Sequence, residues 1–170
     1  MAYAMAMTAA HICHYPNFKT KGLKTKITFI QDDIRQEMDF FMGRYCHMMD
    51  LSYATYVDLS NPENNAEFFP KEEYLEPGTS KYGFLDVEWE FVEARGSDDI
   101  FLYKLARWSN DEDKQLTVAL CYEDDGRNIN EALAMKLPDS VPVLVRVDDD
   151  ASLMFLKQSG QFGHIIPIGM

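Results

Sequence analysis

Two adjacent carboxylates, Asp32 and Asp33, follow the strongest strand signal near the start of the chain. Residues 25–30 (TKITFI) are β-branched, aromatic or apolar except for one lysine, which predicts a buried strand. A carboxylate at the carboxyl end of such a strand can accept hydrogen bonds from both ribose hydroxyls of an adenine nucleotide. The same residues could instead cap the helix that follows. The sequence leaves both interpretations open.

Two further strand ends carry polar residues that could contact a ligand. A strand predicted over 84–94 is followed by 95–98 (RGSD), and a strand over 116–122 is followed by an acidic turn. Ligands of parallel sheets bind at the carboxyl ends of the strands, so these positions are candidate contacts. The candidates are Gly96, Ser97, Asp98 and Glu123. The alternatives are a turn with a helix cap for the first segment and a solvated acidic loop for the second.

Arg146 lies inside an apolar strand predicted over 142–147 (PVLVRV). A buried guanidinium needs an anionic partner, because an unpaired charge is costly to remove from water. That partner is either Asp148 or Asp149, or the phosphate of a ligand.

Other arrangements that could support chemistry are incomplete. His11 and His14 stand at i and i+3, as zinc ligands can, but no third ligand lies nearby in the sequence. The acidic run 148–150 lacks the alternating spacing of a calcium loop and is interpreted as a loop with a helix cap. No nucleophile, base and oxyanion site can be assembled. We therefore expect neither an enzyme nor a metal protein.

Composition narrows the class of protein. The 170 residues are 46% hydrophobic, which favours a single folded domain over 1–170. The net charge of -12 argues against binding to nucleic acid, which needs clustered lysine and arginine. Three widely spaced cysteines without a CxxC pair favour reduced thiols and a cytoplasmic location. No apolar run approaches the 18 residues of a membrane span.

Strand and helix signals alternate along the chain. The predicted strands cover 25–30, 53–59, 84–94, 116–122, 142–147 and 164–168. The predicted helices begin near 34, 98, 128 and 151. Short links between alternating elements indicate right-handed crossovers and a parallel sheet. The predicted fold class is α/β, with a Rossmann-like doubly wound parallel sheet and 25–30, 116–122 and 143–147 as central strands. The proline- and glycine-containing segment 60–83 is predicted to be an irregular surface insertion.

The stretch 92–169 resembles the second half of the TrkA N-terminal domain, also called the RCK domain. The matching motifs, in order, are EARGSDD, IFLYKLARW, LTVALCYEDD, RNINEALAMKLP, VPVLVRVDD, ASLMFLKQSG and HIIPIG. TKITFIQDD is also similar to the second strand of that family, with its ribose-binding acid. The resemblance implies a cytoplasmic regulatory module that gates potassium channels or transporters by binding NAD, NADH, ATP or ADP.

The chain departs from that family at its start. The family opens with a strand and a glycine-rich G-x-G-x-x-G loop, whose backbone approaches the pyrophosphate. Here the first residues resemble the helix after the loop, and the motif is absent, so either the natural chain is longer upstream or this copy has lost the phosphate cradle. We therefore expect any adenine nucleotide to bind weakly. The alternative is a Rossmann-like module without a ligand that forms a homodimer. A fragment of an NAD-dependent dehydrogenase is a weaker third interpretation, because no catalytic residue can be placed.

Overall fold

Helices and strands alternate along the computed structural model, which describes residues 1–78, 82–83, 85–95, 98–158 and 163–169. The described helices are α1 (Ala2–Ile12), α2 (Asn17–Lys21), α3 (Ile34–Arg44), α4 (Cys46–Met49), α5 (Asp99–Ser109), α6 (Asp125–Ala134) and α7 (Asp150–Gln158). The described strands are β1 (Thr25–Gln31), β2 (Tyr53–Asp58), β3 (Ala66–Phe68), β4 (Val87–Glu93), β5 (Val118–Leu120), β6 (Val143–Arg146) and β7 (Ile165–Ile168). The fold is therefore mixed α/β with mainly parallel sheets, of the Rossmann-like class that the sequence predicts. In the described part of the chain, no helix has both the length and the apolarity needed to cross a membrane.

The chain divides into two compact units, Tyr3–Asp98 and a second formed by Asp99–Met170 with the first two residues. The first unit holds a four-stranded sheet in the order β1-β4-β2-β3. The second holds a three-stranded sheet in the order β5-β6-β7. Every strand pair is parallel except β2 with β3.

This pairing corrects one expectation. Segments 25–30, 116–122 and 143–147 do not pair within one sheet, because the first belongs to the four-stranded sheet and the others to the three-stranded sheet. β4 takes the place between β1 and β2, and the antiparallel β3 takes the other side of β2. A continuous apolar run predicts burial on both faces of a strand but does not show which strand lies beside it.

An aromatic core lies between α3 and the sheet of the first unit. The spacing of Ile34, Met38 and Phe41 places all three on one buried face of α3. Trp89 and Phe91 lie two residues apart on β4 and therefore project from the same face of the sheet. The ring of Phe41 lies 5.2 Å from that of Trp89 and 5.8 Å from that of Phe91. These contacts hold the helix on the central strand.

The segment 60–83 contains one element that the sequence did not reveal. β3 pairs with β2 from Ala66 to Phe68, and two single 3-10 turns flank it. Three residues are too few for an alternating pattern to stand out, so the sequence predicted only an irregular segment. Gly83 closes the segment with a φ of +86°, and a Cβ there would lie 2.9 Å from the carbonyl oxygen of Leu51. Only glycine fits this position.

Among the described strands, β7 pairs with β6 and with no other strand. The amides of Val143 and Val147 donate to the carbonyls of His164 and Ile168, so the even-numbered residues of β7 face β6. Pro167 therefore directs its backbone nitrogen to the open side. Because proline has no N–H, that side lacks one donor.

We predict that Phe41→Ala destabilises the protein strongly and that Phe40→Ala does not. Phe41 is fully buried against three aromatic rings of the sheet, so its loss leaves a cavity and should lower the free energy of unfolding by about 3–5 kcal/mol. Phe40 is 55% exposed, so its loss should cost about 1 kcal/mol or less. Urea unfolding followed by circular dichroism measures both values, and equal losses would contradict this account of the core.

Candidate functional site

Asp32 meets a cation at the carboxyl edge of the first sheet. β1 and β4 are parallel neighbours with Gln31 opposite Glu93, so the residues after both strands emerge at one edge. Nε of Arg95 lies 3.9 Å from Oδ2 of Asp32, and both side chains are mostly exposed. This edge therefore carries a carboxylate and a guanidinium that are both open to solvent.

Asp33 holds the position before α3 but does not cap it through its side chain. Its backbone is left-handed, with a φ of 63°, and its side chain makes no capping hydrogen bond. The capping interpretation is therefore wrong for Asp33, because an N-cap residue normally has an extended backbone that turns its side chain toward the first amides of the helix. Aspartate is one of the few residues that tolerates the left-handed region.

Asp98 closes a tight turn after β4. Its Oδ2 accepts a hydrogen bond from the amide of Arg95 at 2.8 Å, and its own amide donates to the carbonyl of Arg95 at 3.0 Å. This geometry fits the turn that the sequence allowed as an alternative. Gly96 and Ser97, the other two candidates of this turn, lie outside the described residues.

Asp58 organises the carboxyl end of β2 and was not among the site residues predicted from sequence. The residue is only 6% exposed. Its Oδ1 accepts hydrogen bonds from the amides of Ser60 and Asn61 and from the hydroxyl of Ser60, and its Oδ2 accepts one from the amide group of Asn64. These donors lower the pKa of Asp58. The signal was present as an aspartate followed by serine and asparagine within three positions, a pattern typical of Asx turns.

Tyr56 contacts two charged side chains near the carboxyl edge of the first sheet. Its hydroxyl donates to Oε2 of Glu93 at 2.5 Å, and the guanidinium carbon of Arg35 lies 4.8 Å from the centre of its ring. Burial and the carboxylate of Glu93 raise the pKa of Tyr56 to about 12. The tyrosine is therefore a permanent donor at neutral pH.

Asn128 ties together the carboxyl ends of β5 and β6 in the second sheet. Its side chain is fully buried on α6. Its Oδ1 accepts from the amide of Tyr122, and its Nδ2 donates to the carbonyls of Tyr122 and Arg146, all at 3.0 Å. The three bonds satisfy backbone groups of two strands at once. Local sequence patterns do not single out this asparagine, since its environment depends on the packing of α6.

Two aspartates of the acidic turn after β5 accept hydrogen bonds from nearby backbone amides. Oδ1 of Asp124 caps α6 by accepting from the amide of Arg127 at 2.6 Å. Oδ2 of Asp125 accepts from the amides of Asp148 and Asp149 at 2.9 and 2.8 Å. Oδ1 of Asp125 is buried and has no hydrogen-bond partner in the described part of the chain. Glu123, the candidate in this turn, is exposed.

Arg146 pairs with Asp148, one of its two predicted internal partners. Nη2 of Arg146 lies 2.6 Å from Oδ2 of Asp148, and the two side chains are 15% and 39% exposed. The hydrogen bond to Asp148, together with the charges of Glu123 and Asp125, raises the pKa of Arg146. Nε of Arg146 is buried and has no hydrogen-bond partner among the described residues. A buried donor of the guanidinium at the carboxyl edge is therefore unused within the described part of the chain.

The three-stranded sheet of the second unit carries a cleft at the end opposite to Arg146. Its volume is about 430 Å³, and Leu116 and Val141, which precede β5 and β6, are among its lining residues. Its polar lining includes Asp111 and Lys114, which form an ion pair at 2.7 Å. The cleft therefore lies at the amino ends of the strands, away from the predicted ligand edge.

The two histidines considered as metal ligands do not form a metal site. Nδ1 of His14 lies 2.8 and 2.9 Å from the two carboxylate oxygens of Asp86, so this histidine is engaged in a pair. Across the described ranges, no group of three or more histidine, cysteine, aspartate or glutamate residues is placed to hold a metal ion.

Comparison with known proteins identifies no relative: no family model matches the sequence, and neither a curated protein nor a solved structure matches the chain.

Loss of the Asn128 side chain should destabilise the second unit. In Asn128→Ala, three buried backbone groups lose their partners, which should lower the free energy of unfolding by roughly 2–4 kcal/mol. Asn130→Ala is the matched control, since that asparagine is exposed on the same helix. Thermal and urea unfolding measure the difference, and an unchanged stability of Asn128→Ala would show that the three bonds contribute nothing net.

Asp58 should make the free energy of unfolding of the first unit depend on pH in the acidic range. The pKa of Asp58 in the folded protein lies below the unfolded value of about 3.9. Its contribution to the free energy of unfolding is therefore fully present above the unfolded pKa and is lost as the pH falls through the folded pKa. Asp58→Asn should therefore be less stable than the wild type at pH 7, and the gap should narrow on acidification. Urea unfolding between pH 7 and pH 2.5 tests this, with the exposed Asp39→Asn as control. A gap independent of pH would rule out the carboxylate as its source.

Proposed function

We propose that this chain is a cytoplasmic regulatory module that binds an adenine nucleotide, NAD, NADH, ATP or ADP, in the manner of RCK domains. It would act within or beside a potassium channel or transporter. The resemblance over 92–169 supports this proposal, because β5, α6, β6, α7 and β7 follow one another in the order that its motifs require. None of the three cysteines forms a disulfide within the described residues, which fits a reducing compartment.

The unused donor of Arg146 is the observation that carries the proposal. A buried N–H without a partner is uncommon in folded proteins, and each such group calls for an explanation. Here the group lies at the carboxyl edge of a parallel sheet, where ligands of this fold class bind. Nε is closed off from solvent, so a phosphate oxygen would satisfy it only after the groups that cover it move, while Nη2 keeps Asp148.

The carboxylates at the same edge limit how strongly a phosphate can bind. Glu123, Asp125 and Asp148 all act on Arg146 electrostatically, and they would repel an anion. Asp125 already accepts from the amides of Asp148 and Asp149, which are therefore not free to bind phosphate. With the glycine-rich loop also absent, we expect a dissociation constant well above 1 µM.

A module without a ligand that forms a homodimer is the second candidate function. The pair of Arg146 with Asp148 favours it, because a paired guanidinium needs no ligand to be accommodated. The exposed apolar side chains of α5, Ile100 and Tyr103, offer contact area for a second copy.

Titration calorimetry of the whole chain with each of the four nucleotides tests the proposal. We expect weak, saturable binding, and Arg146→Met should weaken it roughly 10- to 150-fold through the loss of a charge-assisted hydrogen bond. Arg107→Met removes the same charge from an exposed position of α5 and should bind as the wild type does. In the absence of nucleotide, Arg146→Met should melt only slightly lower, since Asp148 is partly exposed.

Three outcomes would overturn parts of this account. Sub-micromolar binding would contradict the importance of the missing loop, and unchanged binding by Arg146→Met would remove that residue from the site. If none of the nucleotides binds at millimolar concentration, the nucleotide proposal fails. A dimer seen by sedimentation in that case would support the second candidate.

A further inference from the structure

Positive charge is concentrated in one short segment of this acidic chain. All 28 aspartates and glutamates follow position 31, whereas four of the 16 lysines and arginines lie within 19–26. These four are Lys19, Lys21, Lys24 and Lys26. The segment therefore differs in sign from the chain as a whole, whose net charge is -12. A local surplus of lysine on an acidic protein favours contact with an anionic partner at that place.

The lysines lie in or beside a loop that is closed at its base. The hydroxyl of Thr25, the first residue of β1, donates to the carbonyl of Cys13 at 2.9 Å, so the two ends of the loop meet. Between them, the amide of Phe18 donates to the carbonyl of Tyr15, and α2 follows. We refer to residues 12–24 as the lysine loop. It lies at the amino end of β1, opposite to the carboxyl edge of the first sheet.

The carboxylates that act on this loop already have partners. Asp86 and Glu88 are the two that act on Lys24 electrostatically. Nδ1 of His14 lies 2.8 Å from Asp86, and Nζ of Lys26 lies 4.0 Å from Glu88. Lys24 itself donates to two backbone carbonyls, at 2.8 and 3.1 Å. These contacts account for two of the four lysines.

The charges of Lys19 and Lys21 are the surplus. Both side chains are exposed, and neither forms an ion pair within the part of the chain that the structure describes. They stand two positions apart on α2, close to the turn that ends this short helix. The loop therefore offers two ammonium groups to an anionic surface.

The same loop exposes three large apolar side chains. Ile12, Tyr15 and Leu23 expose 71%, 57% and 45% of their surface. The helix α1 packs on the core through Ala6 and Ala10, whereas Ile12 lies at its end and outside the core. The three side chains come from different parts of the loop, namely the end of α1, the link to α2 and the residue after its glycine cap. Exposed apolar groups beside lysines are typical of surfaces that enter the boundary of a bilayer.

We propose that the lysine loop docks the protein on the surface of a bilayer that contains anionic phospholipids. Lys19 and Lys21 would contact the charged headgroups, while Ile12 and Leu23 enter the boundary with the acyl chains. A bilayer fits these side chains better than an acidic protein does. An apolar side chain that projects singly needs a matching pocket on a protein, but it needs none in a fluid lipid.

The net charge of the chain does not prevent this contact. Salt screens charges over about 8 Å at physiological ionic strength, so carboxylates farther than this from the headgroups repel them only weakly. The uneven charge also orients the protein, because the segment without carboxylates is attracted and the rest is repelled. The inference is independent of nucleotide binding, since the loop and the carboxyl edge lie at opposite ends of β1.

Co-sedimentation of the whole chain with lipid vesicles tests the proposal. We expect binding to vesicles of two parts phosphatidylcholine and one part phosphatidylserine, and little binding to phosphatidylcholine alone. Lys19→Gln and Lys21→Gln should each weaken binding about fivefold, the contribution of one lysine at an anionic surface. Ile12→Gln and Leu23→Gln should each weaken it about tenfold, because apolar groups no longer enter the lipid.

Two variants outside the loop are the matched controls. Lys136→Gln removes a positive charge and Met154→Gln removes an apolar side chain, each from an exposed position of the second unit. Both should bind the vesicles as the wild type does. All six variants change exposed side chains, and circular dichroism should show that each keeps the wild-type fold.

Four outcomes would overturn the proposal. Absence of binding to the mixed vesicles would refute it directly, and equally tight binding to phosphatidylcholine alone would show that the lysines do not recognise anionic lipid. If the loop variants bind as tightly as the two controls, the docking surface lies elsewhere. If a hexaglutamate peptide binds the chain where the vesicles do not, and Lys19→Gln weakens that binding, the loop recognises an acidic protein instead of a membrane.

Discussion

The pairing of β4 on both sides is the constraint on which the first unit depends. The strand is parallel to β1 from Val87 to Glu93 and parallel to β2 from Glu88 to Glu93. Because its register is fixed on both sides, its alternation places Trp89 and Phe91 in the aromatic core and Glu88 on the other face. A shift by one residue would exchange these faces and lose both the core and the carboxylate beside Tyr53.

At the carboxyl edges of both sheets, polar side chains form hydrogen bonds with the backbone of the protein itself. Asp58, Asp125 and Asn128 each accept or donate two or more bonds to the backbone at strand ends. Such bonds are needed because buried backbone groups are costly without partners. A ligand at either edge must therefore rely on the few groups left over. Among the described groups predicted from sequence, Arg146 has a buried Nε without a hydrogen-bond partner, and the side chain of Asp32 is mostly exposed.

The sequence predicted the fold class well because apolar strands and amphipathic helices have distinct periods. The apolar run at 143–147 and the helical spacing of Ile34, Met38 and Phe41 correspond to described elements within a residue or so. Strand pairing was less predictable, since nothing within LTVALCY indicates that β6 is the one described strand beside β5. Among the site residues, Asp148 was predicted as a partner of Arg146 because it is close in sequence. The roles of Asn128 and Asp125 depend on backbone groups 18 to 24 positions away, which local patterns do not report.

Pro167 bears on how this protein behaves at high concentration. An unpaired strand edge with a full set of donors and acceptors is a template on which further chains can add, and such growth leads to fibrous aggregates. β7 is rich in isoleucine, a composition that favours this kind of growth. The missing N–H of Pro167 interrupts the template at its centre. The proline therefore removes from this edge a donor that the addition of a further strand would need.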